Sequence, residues 1–185
     1  ISGGITVSPS TDGMIHVLEK AEKGLSSSKY ASIDASNGKL TIRSKNKNNV
    51  WFFFYRTPLT YLELQVPQSD YEEVILNLTS GSHKLSNLNT EDMIIDLTSG
   101  ELRLSDANIS RLNMTMTSGN TRLTDVMGED LRVEMTSGEL CTTGSFSNMI
   151  QIDMTSGNLS LDTHLDAPEQ LALEMTSGNA ELILS

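Results

Sequence analysis

A single cysteine, Cys141, stands in the 185 residues, which excludes an internal disulfide framework and a multi-cysteine metal site. Aromatic residues are scarce at 5%, and the 37% hydrophobic content falls below the usual share for a compact globule. A two-layer domain needs bulkier filling, whereas a narrow solenoid with a core one side chain deep per rung does not. Cationic residues are also few: 13 Lys and Arg face 24 Asp and Glu, giving a net charge of −11. That balance leaves no basic surplus to neutralise phosphates, so nucleic acid is excluded as a partner and an anionic membrane surface is disfavoured. It is compatible with solubility and with cationic partners or divalent ions. No apolar run reaches the length of a membrane span and no secretory signal is recognisable, so membrane anchoring is expected only through sequence outside these residues.

What the chain does have is a repeat. Thr-Ser-Gly occurs at 79–81, 98–100, 117–119, 136–138, 155–157 and 176–178, with the glycines spaced by 19, 19, 19, 19 and 21 residues. A fixed period of this length marks a stacked repeat architecture. Seven residues before the glycines stand Val74, Met93, Leu112, Leu131, Ile150 and Leu171. Five before stand Leu76, Ile95, Met114, Val133, Ile152 and Leu173, and three before stand Leu78, Leu97, Met116, Met135, Met154 and Met175. These apolar positions alternate with mostly polar ones, the period-two pattern of a strand with one buried face. After the glycine the pattern resumes at the second and fourth residues with Leu102 and Leu104, Leu140, Leu159 and Leu161, and Leu182.

Each repeat therefore predicts one rung: a strand, a Thr-Ser-Gly corner, a shorter strand, and a looser return signalled by Asn87, Asp106, Asp125, Gly144 or Pro168. A rung cannot bury its inner face alone, so rungs stack in parallel about 4.8 Å apart. The corner glycines suit a positive φ, and the corner serines are expected to turn inward and satisfy backbone groups. The fold class is a right-handed single-stranded β-solenoid (β-helix) with rungs of about nineteen residues and an irregular N-terminal capping part.

We read 1–185 as one solenoid domain, with six regular rungs over 74–185 and irregular early rungs over 1–73. Within the early part, Thr11-Asp12-Gly13 and Ser36-Asn37-Gly38 read as degraded corners, and Leu62, Leu64 and Val66 alternate before Pro67. An insert at 46–58 departs from the pattern, with Trp51-Phe52-Phe53-Phe54-Tyr55 following a Lys/Asn run. It is expected to fold over apolar surface at the flank or end; the alternative is an exposed contact patch.

Taken together, the Asp12-Gly13 strand, Asn37-Gly38-Lys39-Leu40-Thr41-Ile42, Leu62-Glu63-Leu64-Gln65-Val66-Pro67 and the Thr-Ser-Gly rungs resemble a bacterial family of unknown function that carries an adhesin label. The resemblance covers nearly the whole chain. It implies a β-solenoid, often beside a membrane segment, in bacteria and notably Gram-positive ones, and it offers no catalytic residues to carry over.

Outward columns are where a solenoid would keep chemistry. Four before the glycine stand Asn77, Asp96, Thr115, Glu134, Asp153 and Glu174, and the last three would stack as like charges. Calcium could bind there through carboxylate oxygens, but the Gly- and Asp-rich nonapeptide of calcium-binding rolls is absent, and no metal site is assigned. One after it, Ser82, Glu101, Asn120, Glu139, Asn158 and Asn179 alternate acid with amide; three after it, Lys84, Arg103 and Arg122 can pair with neighbouring acids. The outward threonines form a single row flanked by charges, unlike the broad paired rows of ice-binding faces. Arg132 beside Glu134 and Asp153 is the nearest approach to a polysaccharide-lyase centre, without long loops to form a cleft. His16, His83 and His164 are scattered and suggest neither triad nor zinc site. The methionines read as core filling, and Cys141 as an idle outward thiol. No catalytic, cofactor-binding or metal residue is assigned, and no cofactor is expected.

The function expected is a non-enzymatic, surface-associated interaction or structural module, an adhesin of unspecified protein or carbohydrate ligand, facing outside the membrane. The alternative is a carbohydrate-binding or lyase-like β-helix. Because the last rung ends in Glu181-Leu182-Ile183-Leu184-Ser185, a homodimer through the C-terminal rung is also expected.

Overall fold

The computed structural model describes residues 3–21, 30–36, 38–43, 60–163 and 167–184; the 46–58 insert and His164 lie outside the described residues. Ten strands are formed: β1 Gly4–Pro9, β2 His16–Ala21, β3 Ser32–Ser36, β4 Lys39–Arg43, β5 Thr60–Val66, β6 Asp70–Leu78, β7 Ser82–Ser86, β8 Asn89–Leu97, β9 Glu101–Thr163 and β10 Gln170–Leu184. No helix occurs among the described residues. The 63 residues of β9 pass through successive corners and returns, including the left-handed Asp106 and Asp125, so this one span supplies several rungs.

The molecule is a β-solenoid, and its register follows the repeat. Parallel pairing puts Val74 beside Met93 and Leu76 beside Ile95, then Met93 beside Leu112 and Ile95 beside Met114. After the corner, Ser82 lies beside Glu101 and Leu85 beside Leu104. All of these partners are 19 residues apart. In the last rung the offset becomes 21, with Leu171 on Ile150 and Leu173 on Ile152, as the glycine spacing requires. The core is the stack of inward columns: Met93, Ile95, Leu97, Leu112, Met114, Met116, Leu131, Val133, Met135, Ile150, Ile152 and Met154 are all buried. Each fully buried side chain of this size contributes roughly 1.5–3 kcal/mol.

The shorter strand after the corner contributes two further columns. Leu102, Leu140 and Leu159 share the first with His83 and Thr121; Leu85, Leu104, Leu123 and Leu161 share the second with Thr142. Its polar members, His83, Thr121 and Thr142, take the same inward places that the leucines at the second and fourth residues after the glycine mark out. Thr121 finds a partner in the core itself, its hydroxyl lying 3.6 Å from Met116 Sδ.

At the returns, Asn87, Asp106 and Asp125 adopt φ of 55°, 53° and 53°, the left-handed region that Asn and Asp enter more readily than other non-glycine residues. The corner serines are half-exposed rather than inward, apart from the exposed Ser177. Their hydroxyls still satisfy corner backbone: Ser99, Ser137, Ser156 and Ser177 donate to the carbonyls of Thr79, Thr117, Thr136 and Thr155 at 3.3–3.5 Å.

The N-terminal part differs from the early rungs expected of it. The sheet order is β2-β5-β1-β7-β9-β8-β6. Strand β1 stacks in parallel beside β7 and β5 beside β1, which extends the solenoid, but β2 pairs with β5 antiparallel. The Asp12-Gly13 site is the reason. Asp12 Oδ1 accepts the Met14 N–H at 3.0 Å and Gly13 has φ of 72°, an Asx-type turn that reverses the chain. Likewise β3 and β4 form an antiparallel pair with Ser36 opposite Lys39, so Ser36-Asn37-Gly38 marks a hairpin and not a rung corner. The Leu62/Val66 reading holds, since both side chains are buried.

Candidate functional site

Three outward and rim columns on the return side of the rungs line an open groove of about 640 Å³. Eleven residues before each corner glycine stand Asp70, Asn89 and Asn108, followed by the exposed Met127. Parallel stacking brings these into file, and amide groups link them: Asn108 Nδ2 donates to Asn89 Oδ1 at 3.2 Å and Asn89 Nδ2 approaches Asp70 Oδ1 at 3.5 Å. The neighbouring column is the floor, with Tyr71, the buried Thr90 and Ile109, and Gly128. Thr90 turns its hydroxyl onto the Asp92 carbonyl at 3.0 Å, and Tyr71 donates to the Pro67 carbonyl at 2.6 Å. Burial of the Tyr71 ring raises its phenol pKa. The third column, Glu72, Glu91, Ser110 and Glu129, forms the other rim.

Beside this rim one cation is tightly engaged. Arg111 donates to Asp92 through Nε and Nη2, both at 2.6 Å, and through Nη2 to Glu91 at 3.1 Å. The fork bridges two rungs, 19 residues apart. It holds the Asp92 carboxyl below the usual carboxylate range, chiefly through the hydrogen bonds from Arg111, and pushes the guanidinium pKa up in turn. The groove thus offers carboxylates, amides and one aromatic ring over four rungs, a chemistry suited to hydroxyl-rich chains or cations.

The sequence-stated candidates are distributed differently. Glu174 lies beside Asp153 in register, and Gln151 Nε2 donates to Asp153 at 3.0 Å. No group of three His, Cys, Asp or Glu side chains among the described residues is placed to hold a metal ion. Arg103 pairs with Glu101 of its own rung, Nε to Oε1 at 2.8 Å, and Ser82 reaches the same carboxylate at 3.2 Å. The amide ladder of that column is realised where two asparagines adjoin, Asn179 to Asn158 at 3.3 Å. Cys141 is half-exposed with its sulfur 3.6 Å from Glu139, and burial raises its thiol pKa. A smaller groove of about 320 Å³ follows the threonine row, with Thr79, Thr98 and Thr117 beside Asn77 and Asp96. Met116, Met135 and Met154 are core. His16 is exposed, 2.9 Å from Asp12, whereas His83 is fully buried, which alternation alone predicts for the second residue after a corner glycine. No single repeat signals the return groove, because only stacking assembles its columns.

Fold and groove together define a β-solenoid that displays files of polar side chains along its length. The model of the Toastrack DUF4097 family matches residues 2–185, and the chain belongs to that family, a β-solenoid domain of unknown function. The family description carries no adhesin name. Comparison with curated proteins finds no match. No helix among the described residues is long and apolar enough to cross a membrane.

Proposed function

We propose that this chain is a non-enzymatic interaction or structural module of an extracytoplasmic surface, binding its partner along the return groove. The groove carries the reading. It is open, it spans four rungs, and its lining positions recur at rung spacing, a form that accommodates an extended ligand. The resemblance to an adhesin-labelled bacterial family supports a location outside the membrane.

A carbohydrate partner is favoured over a protein one by the lining itself, where the Asp70-Asn89-Asn108 file adjoins Tyr71. Amides and carboxylates hydrogen-bond vicinal hydroxyls, and an aromatic ring stacks on the apolar face of a sugar. The test is retention of the full chain on isolated cell-envelope polysaccharide, compared with the double variant Tyr71→Ala, Asn108→Ala, alongside an assay for unsaturated uronide release. Retention that drops at least tenfold in the variant, without product release, supports the proposal. Equal retention by both chains, or product formation, overturns it.

A further inference from the structure

His83 occupies a place where every neighbouring rung has a core residue. It is the second residue after a corner glycine, in file with Leu102, Thr121, Leu140 and Leu159, and it is 0% exposed. Neither Nδ1 nor Nε2 has a hydrogen-bond partner of good geometry. Buried polar groups are normally paired, so an unpaired ring at the centre of a core marks an unusual site.

Among the described residues, the ring also lies at the joint of the stack with the fewest register pairs. The β1–β7 ladder has two register pairs, Thr6 with Lys84 and Val7 with Leu85, against six pairs between β1 and β5 and five between β7 and β9. Continued by one residue, that register puts Ile5 opposite His83, while Leu102 flanks it on the other side. The bonds that supplement the joint are long: Ser82 N to Gly3 O at 3.4 Å and Ser86 Oγ to Val7 O at 3.5 Å. Close approach is kept by Gly4, where a Cβ would stand 2.1 Å from the Ser82 carbonyl oxygen. The joint is therefore tight in space and sparse in bonds, with an ionisable ring inside it.

We propose that His83 is an acid-sensitive latch: protonation of its buried ring releases the N-terminal strands β1, β5 and β2 from the first rung and bares the edge of β7. Among the described residues, none offers a countercharge to a cationic ring. Strand β1 carries no ionisable side chain. On β7, Lys84 is exposed and of the wrong sign; on the adjoining rung of β9, Glu101 is already held by Arg103. Glu63 of β5 is exposed and pairs with Lys20. On β6 and β8, across the rung, Asp70, Glu72, Glu73, Glu91 and Asp96 are exposed on the outside, and Asp92 is bound by Arg111.

Burial lowers the ring's pKa from its ordinary 6.5, and the Ser80 backbone acts in the opposite sense. The folded joint thus binds a proton less readily than the opened one. Its stability is complete above about pH 6.5 and falls as the pH drops below that value, until the folded pKa is reached. Through that window the open-to-closed ratio rises by up to about tenfold per pH unit.

The full chain and His83→Leu are compared by hydrogen exchange between pH 7.5 and 5, corrected for intrinsic exchange chemistry, and the ring of His83 is titrated by NMR. Leucine fills the same column in three rungs, so the variant retains a fitting side chain. Expected are a ring that titrates below 6.5, exchange in β1 and β5 that accelerates on acidification while β8 stays protected, and the same segments indifferent to pH in His83→Leu. A ring titrating near 6.5, or acid-driven opening that persists unchanged in the variant, overturns the proposal. Should the variant misfold, the ring titration and segment exchange of the unmodified chain still decide.

Discussion

A Cβ placed on Gly119 would lie 2.0 Å from the carbonyl oxygen of Gly100. The corner of each rung rests on the corner below through backbone alone, and the Gly119 φ of 126° adds a conformation that side chains resist. Gly119→Ala is therefore expected to lose about 3 kcal/mol, from strain and overpacking together. Gly13→Ala, at φ of 72° with open space around it, should lose about 1 kcal/mol. Chemical denaturation measures both; equal losses would contradict the role assigned to corner contact.

The acidic file Glu134, Asp153 and Glu174 is expected to need no structural cation. Excess chelator should leave the melting temperature where it was. A fall of several degrees, reversed by calcium, would contradict this and make those three carboxylates the first ligands to replace.

Arg111 links two rungs through Asp92, and the pH dependence of that link has a definite sign. Because hydrogen bonds from Arg111 hold the Asp92 carboxyl below its ordinary 3.8, the stabilisation is present above that value and is lost as the pH falls through the lowered folded-state pKa. In Arg111→Gln the Asp92 carboxyl should titrate closer to 3.8, read from its carbonyl carbon resonance. An unchanged titration would contradict the bridge.

The solenoid itself was legible because every position seven, five or three residues before a corner glycine is apolar, from Val74 through Met175. Legibility failed where one local signal serves two geometries. Asn37-Gly38 flanked by Ala35 and Leu40 fits a degraded corner, but it is also the strongest short hairpin signal, and antiparallel pairing of β3 with β4 prevailed. Asp12-Gly13 failed for the same reason. His83 and Thr142 escaped the core reading because their own side chains are polar, although the leucines of their columns and the alternation place them inward. The groove was invisible to any single repeat: Asp70, Asn89 and Asn108 become a site only when 19-residue register files them together.

Leu171, Leu182, Ile183 and Leu184 are between 37% and 51% exposed, and among the described residues β10 pairs with β9 alone. Such an edge invites strand pairing. We expect self-association of this chain at micromolar concentration by light scattering, reduced toward monomer by Leu182→Asp with Leu184→Asp. A monomer across the whole concentration range would contradict it.

The central claim is parallel stacking at a 19-residue register, and spin-label proximity tests it most directly. Asp96 and Thr115 are register partners on outward positions, as strands about 4.8 Å apart require. With Cys141→Ser as background, labels at Asp96→Cys and Thr115→Cys should show strong dipolar broadening, and labels at Asp96→Cys and Glu134→Cys, two rungs apart, much less. Broadening that is absent from the first pair, or as strong in the second, would contradict the account.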